Sequence, residues 1–189
     1  MRLCCAGLLA VLVVGRAAPG VDVPGTTLVR DRPIADAVAW LDAPGAPVPS
    51  VRQKAVLDQR NLSFSPRVLV VRVGTTVDFP NNDRVFHDVF SFRDGKKFEL
   101  GLYPVGAVKY VPFDRPGLSR VFCNIHPAMA AYVLAVDTPY FAVSDRQGRF
   151  TIAEVPAGTY TYHAWRPGGE ILTGSTAVRA GTSLDVRWP

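Results

Sequence analysis

A short segment near residue 125 brings together three side chains that bind soft metal ions. Cys123, His126 and Met129 follow one another at intervals of three residues. Thiolate and thioether donors select copper among the first-row metals, and imidazole also suits it. The spacing Cys-x2-His-x2-Met lets one tight loop place all three groups around a single ion. Each residue also has a purely structural interpretation, because buried cysteines and gap-filling methionines are common in protein cores.

A second imidazole would have to come from another part of the chain. The chain has three histidines, at positions 87, 126 and 163. His87 lies 36 residues before Cys123, at the start of a predicted strand. His163 lies on a predicted strand near the end of the chain, where it is interpreted as a surface residue or a remote ligand. Two imidazoles and one thiolate in a plane, with a long axial methionine, make a type 1 (blue) copper centre.

The order of these residues resembles that of the cupredoxin family, in particular its amicyanin-like and plastocyanin-like members. In that family one histidine comes from an upstream segment, and a cysteine, a histidine and a methionine come from a loop near the end. The resemblance covers Val51 to Asp137. It implies a Greek-key β-sandwich holding one type 1 copper ion. Its ligands would be His87, Cys123, His126 and Met129.

One neighbour of the predicted ligands departs from the family pattern. The residue after the upstream histidine is usually asparagine in cupredoxins, and its surroundings donate hydrogen bonds to the cysteine sulfur. Here that residue is Asp88. Donors near the sulfur tune the potential of the metal. An ionised Asp88 close to the metal would lower the potential, whereas a side chain pointing to solvent would have little effect.

The first 18 residues have the pattern of a secretory signal peptide. A short basic start precedes an apolar run from Leu3 to Val14, and small residues follow. The run is too short to cross a bilayer, which takes about 20 residues. An uncleaved anchor or a buried N-terminal helix is the alternative. Cleavage would remove Cys4 and Cys5, so that Cys123 would be a lone thiol in an exported, periplasmic protein, and such a thiol needs burial or a use.

The rest of the chain is predicted to be all-β. Sixteen glycines and sixteen prolines divide it into short apolar and β-branched segments. Ser183–Trp188 alternates polar and apolar residues, which is typical of a half-buried strand, whereas 68–71 is continuously apolar and fits a strand buried on both faces. The other strands are predicted near 26–29, 37–41, 54–59, 64–73, 76–80, 87–92, 106–113, 117–122, 132–136, 141–144, 149–152 and 158–165.

Two structural units are predicted after the signal peptide. Residues 51–137 form the cupredoxin-like unit, and residues 138–189 form a second, smaller β-sandwich. The string from Phe141 to Tyr160 resembles carboxypeptidase regulatory-like (transthyretin-like) domains, which have a D-x-x-G-x-F turn before a P-x-G-x-Y hairpin. Residues 19–50 contain a segment similar to the start of such a domain. The second sandwich could therefore be split around the first.

The predicted function is the transfer of single electrons between redox partners, without catalysis. The whole chain also resembles bacterial proteins of the methylamine-utilisation type, and the partner would be a cytochrome or a dehydrogenase. The formal charge of +5 is scattered and forms no block that would bind nucleic acid. No second membrane segment is predicted. Three alternatives stay open: a copper-delivery module, a structural β-sandwich without metal, and a catalytic copper centre with an open coordination position.

Overall fold

The computed structural model describes residues 19–44, 53–92 and 94–189. The predicted signal peptide (1–18) and the predicted unit boundary at residue 50 lie outside the described residues. Within these residues every regular element is a β-strand, and no helix there is long and apolar enough to cross a membrane. The predicted all-β class, with two β-sandwiches, is confirmed.

The described residues contain eighteen strands. In chain order they are β1 (Val21–Val29), β2 (Arg32–Pro33), β3 (Val38–Leu41), β4 (Lys54–Val56), β5 (Asp58–Arg60), β6 (Ser63–Ser65), β7 (Val68–Arg72), β8 (Thr75–Pro80), β9 (His87–Ser91), β10 (Phe98–Tyr103), β11 (Val108–Phe113), β12 (Gly117–Cys123), β13 (Ala130–Val136), β14 (Phe141–Val143), β15 (Arg149–Val155), β16 (Gly158–Trp165), β17 (Leu172–Val178) and β18 (Leu184–Trp188).

The first sandwich comprises the middle of the chain. A five-stranded sheet in the order β10-β9-β12-β13-β7 faces a three-stranded sheet in the order β11-β8-β4. Alternate residues of each strand point inward, as in β8, where Thr75, Val77 and Phe79 are buried and their neighbours are not. The inward side chains of both sheets form one hydrophobic core, which includes Cys123 and Met129.

The second sandwich is built from both ends of the described chain. Strands β15, β1 and β18 form one sheet, with β2 paired to β1, and the other sheet has the order β14-β3-β16-β17. The strands before residue 45 therefore share their sheets with strands after residue 138. The first sandwich lies between these two segments in the chain. Whether the second sandwich belongs to the regulatory-like family stays a prediction.

A third hydrophobic cluster joins the two sandwiches. Val38 and Trp165 of the second sandwich pack with Val68, Leu134 and Val136 on the outer face of the five-stranded sheet. Inner residues of the same strands contribute to the first core. Strand β7 is therefore covered on both faces, which explains the continuous apolar run at 68–71.

The strand pairing brings the predicted ligands to one end of the first sandwich. Strand β9 begins at His87, β12 ends at Cys123, and the two strands are antiparallel neighbours. Strand β13 returns beside β12 from Ala130, with Phe122 opposite Ala130. The loop 124–129 therefore closes over the end of the sheet at which His87 lies.

Candidate metal centre

Three of the predicted ligands meet at a single point. The Nδ1 atom of His87 lies 3.7 Å from Cys123 Sγ, and the Nδ1 atom of His126 lies 3.6 Å from the same sulfur. The two Nδ1 atoms are 3.1 Å apart. All three donor atoms lie within 4.8 Å of one another, and they are the one cluster of this kind among the described residues.

The size of this triangle fits a transition-metal ion. A point at its centre is about 2.0 Å from each donor atom, close to the 2.0–2.3 Å of zinc–nitrogen and zinc–sulfur bonds. Three acceptors directed at one point would repel one another unless a cation or shared protons lay among them. Two imidazoles and one thiolate in a trigonal arrangement are typical of a type 1 copper centre. The residues present therefore fit copper.

Met129 completes the predicted ligand set and is held by the same loop. Its side chain is 1 % exposed and belongs to the core cluster that contains Cys123. Its backbone N–H donates to the carbonyl of His126 (2.9 Å), and its own carbonyl accepts from the N–H of Cys123 (3.4 Å). These bonds turn the chain tightly enough to keep all three loop residues at the same end of the sandwich.

The two histidines differ in their access to solvent. His87 is fully buried, whereas His126 is half-buried and is flanked by exposed residues. Burial lowers the pKa of His87, although the neighbouring carboxylate of Asp83 opposes this effect. A low pKa favours the neutral imidazole, which is the form that binds a metal ion. Of the two histidines, His126 is therefore the one that connects this cluster with the surface.

Asp88 does not point freely into solvent. Its Oδ2 atom accepts a hydrogen bond from the Asn124 side chain (3.2 Å), and its carbonyl accepts from the Asn124 N–H (2.8 Å). These hydrogen bonds join Asp88, which follows His87, to Asn124, which follows Cys123. Asp88 thus helps to hold the segments of His87 and Cys123 in register.

A carboxylate that could not be predicted from the sequence contacts the other side of His87. Asp83 Oδ2 lies 3.2 Å from His87 Nε2, and Asp83 is 8 % exposed. The signal in the sequence was an aspartate four residues before the histidine. That spacing predicts contact on a helix, but here the segment is a loop entering β9, so the contact could not be derived from spacing.

His163 lies outside the centre, in the second sandwich. Its Nε2 atom contacts both carboxylate oxygens of Asp42 at 3.0 Å, and its Nδ1 atom contacts Thr173 Oγ1 at 3.0 Å. Its ring stacks on Trp40 with the centroids 5.2 Å apart. Its ring nitrogens are thus satisfied within the second sandwich, and the structure does not bring His163 together with the other two histidines.

One protein-family model matches part of the second sandwich. It describes domain II of polysaccharide lyase family 4 and matches residues 135–186, less than half of the chain. It is not the regulatory-like family that the sequence analysis named, so that resemblance has no support from this match. No curated protein matches the chain.

Several solved structures resemble about half of the chain. A copper-containing nitrite reductase from Thermus scotoductus is 26% identical over 52% of this chain and 25% of its own, with a TM-score of 0.44. The chain thus spans a quarter of that enzyme. A purple cupredoxin from Nitrosopumilus maritimus (24% identity, 44% of this chain, 99% of its own) has a TM-score of 0.39. Amicyanin from Paracoccus versutus is 22% identical over 48% of this chain and 87% of its own, with a TM-score of 0.39.

The role of Met129 can be separated from its packing by two substitutions. Met129→Ala should lower the free energy of unfolding of the metal-free protein by about 2–5 kcal/mol, because it leaves a cavity. Met129→Leu keeps the volume and should cost less than about 1.5 kcal/mol. If the thioether is a ligand, Met129→Leu should nevertheless change the reduction potential of the copper-loaded protein, because the axial ligand tunes it.

A matched control is Leu57→Met, a swap of similar volume at a fully buried position in the same core. It should leave the potential unchanged. Equal potentials for Met129→Leu and the unsubstituted protein would show that Met129 only fills space.

Proposed function

We propose that this protein carries single electrons, using one type 1 copper ion held by His87, Cys123, His126 and Met129. The observation that supports this most strongly is the convergence of two Nδ1 atoms and one Sγ atom, each within 3.7 Å of the other two. When bound, copper would supply a one-electron couple between Cu(II) and Cu(I). The protein would fix the positions of the four donor side chains and connect them with the surface.

Burial of three ligands supports a fixed coordination geometry. His87, Cys123 and Met129 are each at most 4 % exposed. They lie at the ends of paired strands or in a loop closed by backbone hydrogen bonds. Close packing of this kind disfavours a change of rotamer when the metal charge changes. The same donors would serve both oxidation states with little rearrangement, as rapid electron exchange requires.

The half-buried ligand, His126, lies among apolar residues that would favour contact with another protein. Val85, Phe86 and Ile125 are exposed apolar residues in the segments that carry the ligands. Leu102 and Val105 are two more, in and directly after β10, which pairs with the start of β9. Ile125 directly precedes His126, and Leu102 pairs with Asp88 on the neighbouring strand. Apolar surface of this kind marks interaction sites on soluble proteins. The partner would be a redox protein, either a cytochrome or a dehydrogenase, docked over His126.

The compartment and the absence of catalysis belong to the same proposal. The signal-like pattern at 1–18 supports export, to the periplasm or beyond the cell. A single remaining cysteine that binds copper is consistent with an oxidising compartment. Met129 would occupy the fourth position around the metal, leaving none for a substrate.

The experiment is a measurement of electron exchange. A mixture of oxidised and reduced copper-loaded protein should show exchange-broadened NMR signals for residues beside the ligands, with a rate that increases with concentration. Tight Cu(I) binding with no concentration-dependent exchange would instead support a copper-delivery module. A colourless protein that does not bind copper would support a structural β-sandwich.

A further inference from the structure

Asp83 contacts the ligand His87 from the side opposite to the metal centre. Its Oδ2 atom lies 3.2 Å from His87 Nε2, while His87 Nδ1 faces Cys123 and His126. Both residues of this pair are buried. A carboxylate on the outer nitrogen of a ligand histidine fixes which nitrogen carries the proton and raises the basicity of the other.

Asp83 is itself held in place by several backbone groups. Its Oδ2 atom also accepts from the N–H of Leu62 (2.7 Å), and its Oδ1 atom accepts from the N–H of Arg84 (2.8 Å). The N–H of Asp83 donates to Asn81 Oδ1 (3.0 Å). The N–H groups of Leu62 and Arg84 occupy both carboxylate oxygens and hold the side chain in one orientation against His87. Hydrogen bonds of this kind favour the anionic form of a carboxylate.

The turn that supplies the Leu62 N–H has an unfavourable backbone conformation. Asn61 and Leu62 connect β5 and β6 with φ angles of 53° and 55°. A two-residue hairpin turn of type I′ has positive φ at both positions, and leucine in this region costs about 1–2 kcal/mol. Strained residues of this kind persist where the surrounding structure determines them and are frequent beside functional sites. Here the strained residue directs its N–H at Asp83.

We propose that Asp83 is a positioning residue that acts on the metal through His87. It keeps the proton of His87 on Nε2, so that the Nδ1 lone pair faces Cys123 Sγ. Its negative charge also favours Cu(II) over Cu(I) at the centre. This proposal rests on the function proposed above, because the second effect requires copper in the site.

The charge effect is tested by Asp83→Asn. Asparagine keeps one oxygen, which can accept from the Leu62 N–H and from His87 Nε2, but it removes the negative charge and the acceptor of the Arg84 N–H. We expect the substitution to change the ratio of Cu(II) to Cu(I) affinity by about tenfold, which is a rise in reduction potential of about 59 mV for one electron. Protein-film voltammetry of the copper-loaded variant measures this directly.

The control variant is Asp58→Asn. Asp58 lies in the adjacent hairpin and accepts a hydrogen bond from the Asn82 side chain (2.8 Å), but it does not contact a ligand. The substitution Asp58→Asn also removes one negative charge from the same end of the sandwich. A potential change of equal size in both variants would overturn the proposal, because it would reflect the general field and not the contact with His87.

A second readout does not depend on copper. In the metal-free protein at about pH 8, above the ordinary histidine pKa, nitrogen NMR should show His87 protonated on Nε2. Asp83→Ala should give a mixture of the two neutral forms. His87 protonated on Nδ1 in the unsubstituted protein would overturn the proposal. If copper failed to bind, the proposed function would be wrong, while this NMR result would still decide the role of Asp83.

Discussion

Cys123→Ser is expected to remove the strong visible absorption of the copper-loaded protein. The absorption of a type 1 centre arises from charge transfer between a thiolate sulfur and Cu(II), and a serine hydroxyl is neither soft nor ionised at neutral pH. Cys123 is 4 % exposed and its sulfur lies within 3.7 Å of both histidine nitrogens, so another donor could replace the sulfur only if the loop moved. Copper affinity should fall by more than about 100-fold, the upper limit for changes of outer partners alone.

Optical titration with Cu(II) and competition with a copper chelator measure both effects. His163→Gln is the control, because that histidine lies in the second sandwich with its ring nitrogens satisfied there. It should leave absorption and affinity unchanged. An intense visible band that survives Cys123→Ser would mean that the colour comes from another site.

The two histidines of the proposed centre are expected to respond differently to replacement by glycine. His126 is half-buried at the surface, so His126→Gly should leave an opening that free imidazole can enter. Added imidazole should then restore the visible absorption of the copper-loaded variant. His87 is fully buried, and His87→Gly would leave a cavity in the core and remove the contact of His87 with Asp83. The loss of stability should be about 2–5 kcal/mol, as for other large-to-small changes in cores.

Imidazole titrations followed by visible absorption compare the two variants directly. We expect half-restoration of His87→Gly to need at least about tenfold more imidazole than that of His126→Gly, or not to occur, because the free ligand must enter a packed core. Circular dichroism shows whether each variant is folded before the titration. Equal restoration of both variants would contradict the assignment of His126 as the exposed ligand.

The ligand loop was predictable from the sequence because its constraints are local. Cys123, His126 and Met129 lie within seven residues, so any tight turn brings them together. Buried and more exposed residues alternate along β8 and β18 because each strand has one buried face. The apolar run at 68–71 is continuous because β7 is covered on both faces. The position of His87 beside the loop came from family resemblance, because spacing alone cannot show that β9 and β12 are neighbours.

Three strands (β2, β10 and β17) and two contacts were not predicted, for different physical reasons. Strand β2 has only two residues, both exposed, so no apolar pattern marks it. Strands β10 and β17 carry Gly101 and Gly174 and lie at sheet edges, where small and polar residues weaken the apolar pattern. The bonds from Asp83 to His87 and from Asn124 to Asp88 join segments through side-chain directions that only the folded loops determine. The sequence marked Asp88 as unusual but could not show its partner.

The most direct test of the proposed copper centre is the optical spectrum of the copper-loaded protein together with metal analysis. We expect one copper ion per chain and an intense visible band that disappears on reduction and returns on oxidation. Such a result would show that His87, Cys123 and His126 form a type 1 copper centre. A protein that holds Cu(II) stoichiometrically without a strong visible band, or that holds no copper, would contradict it.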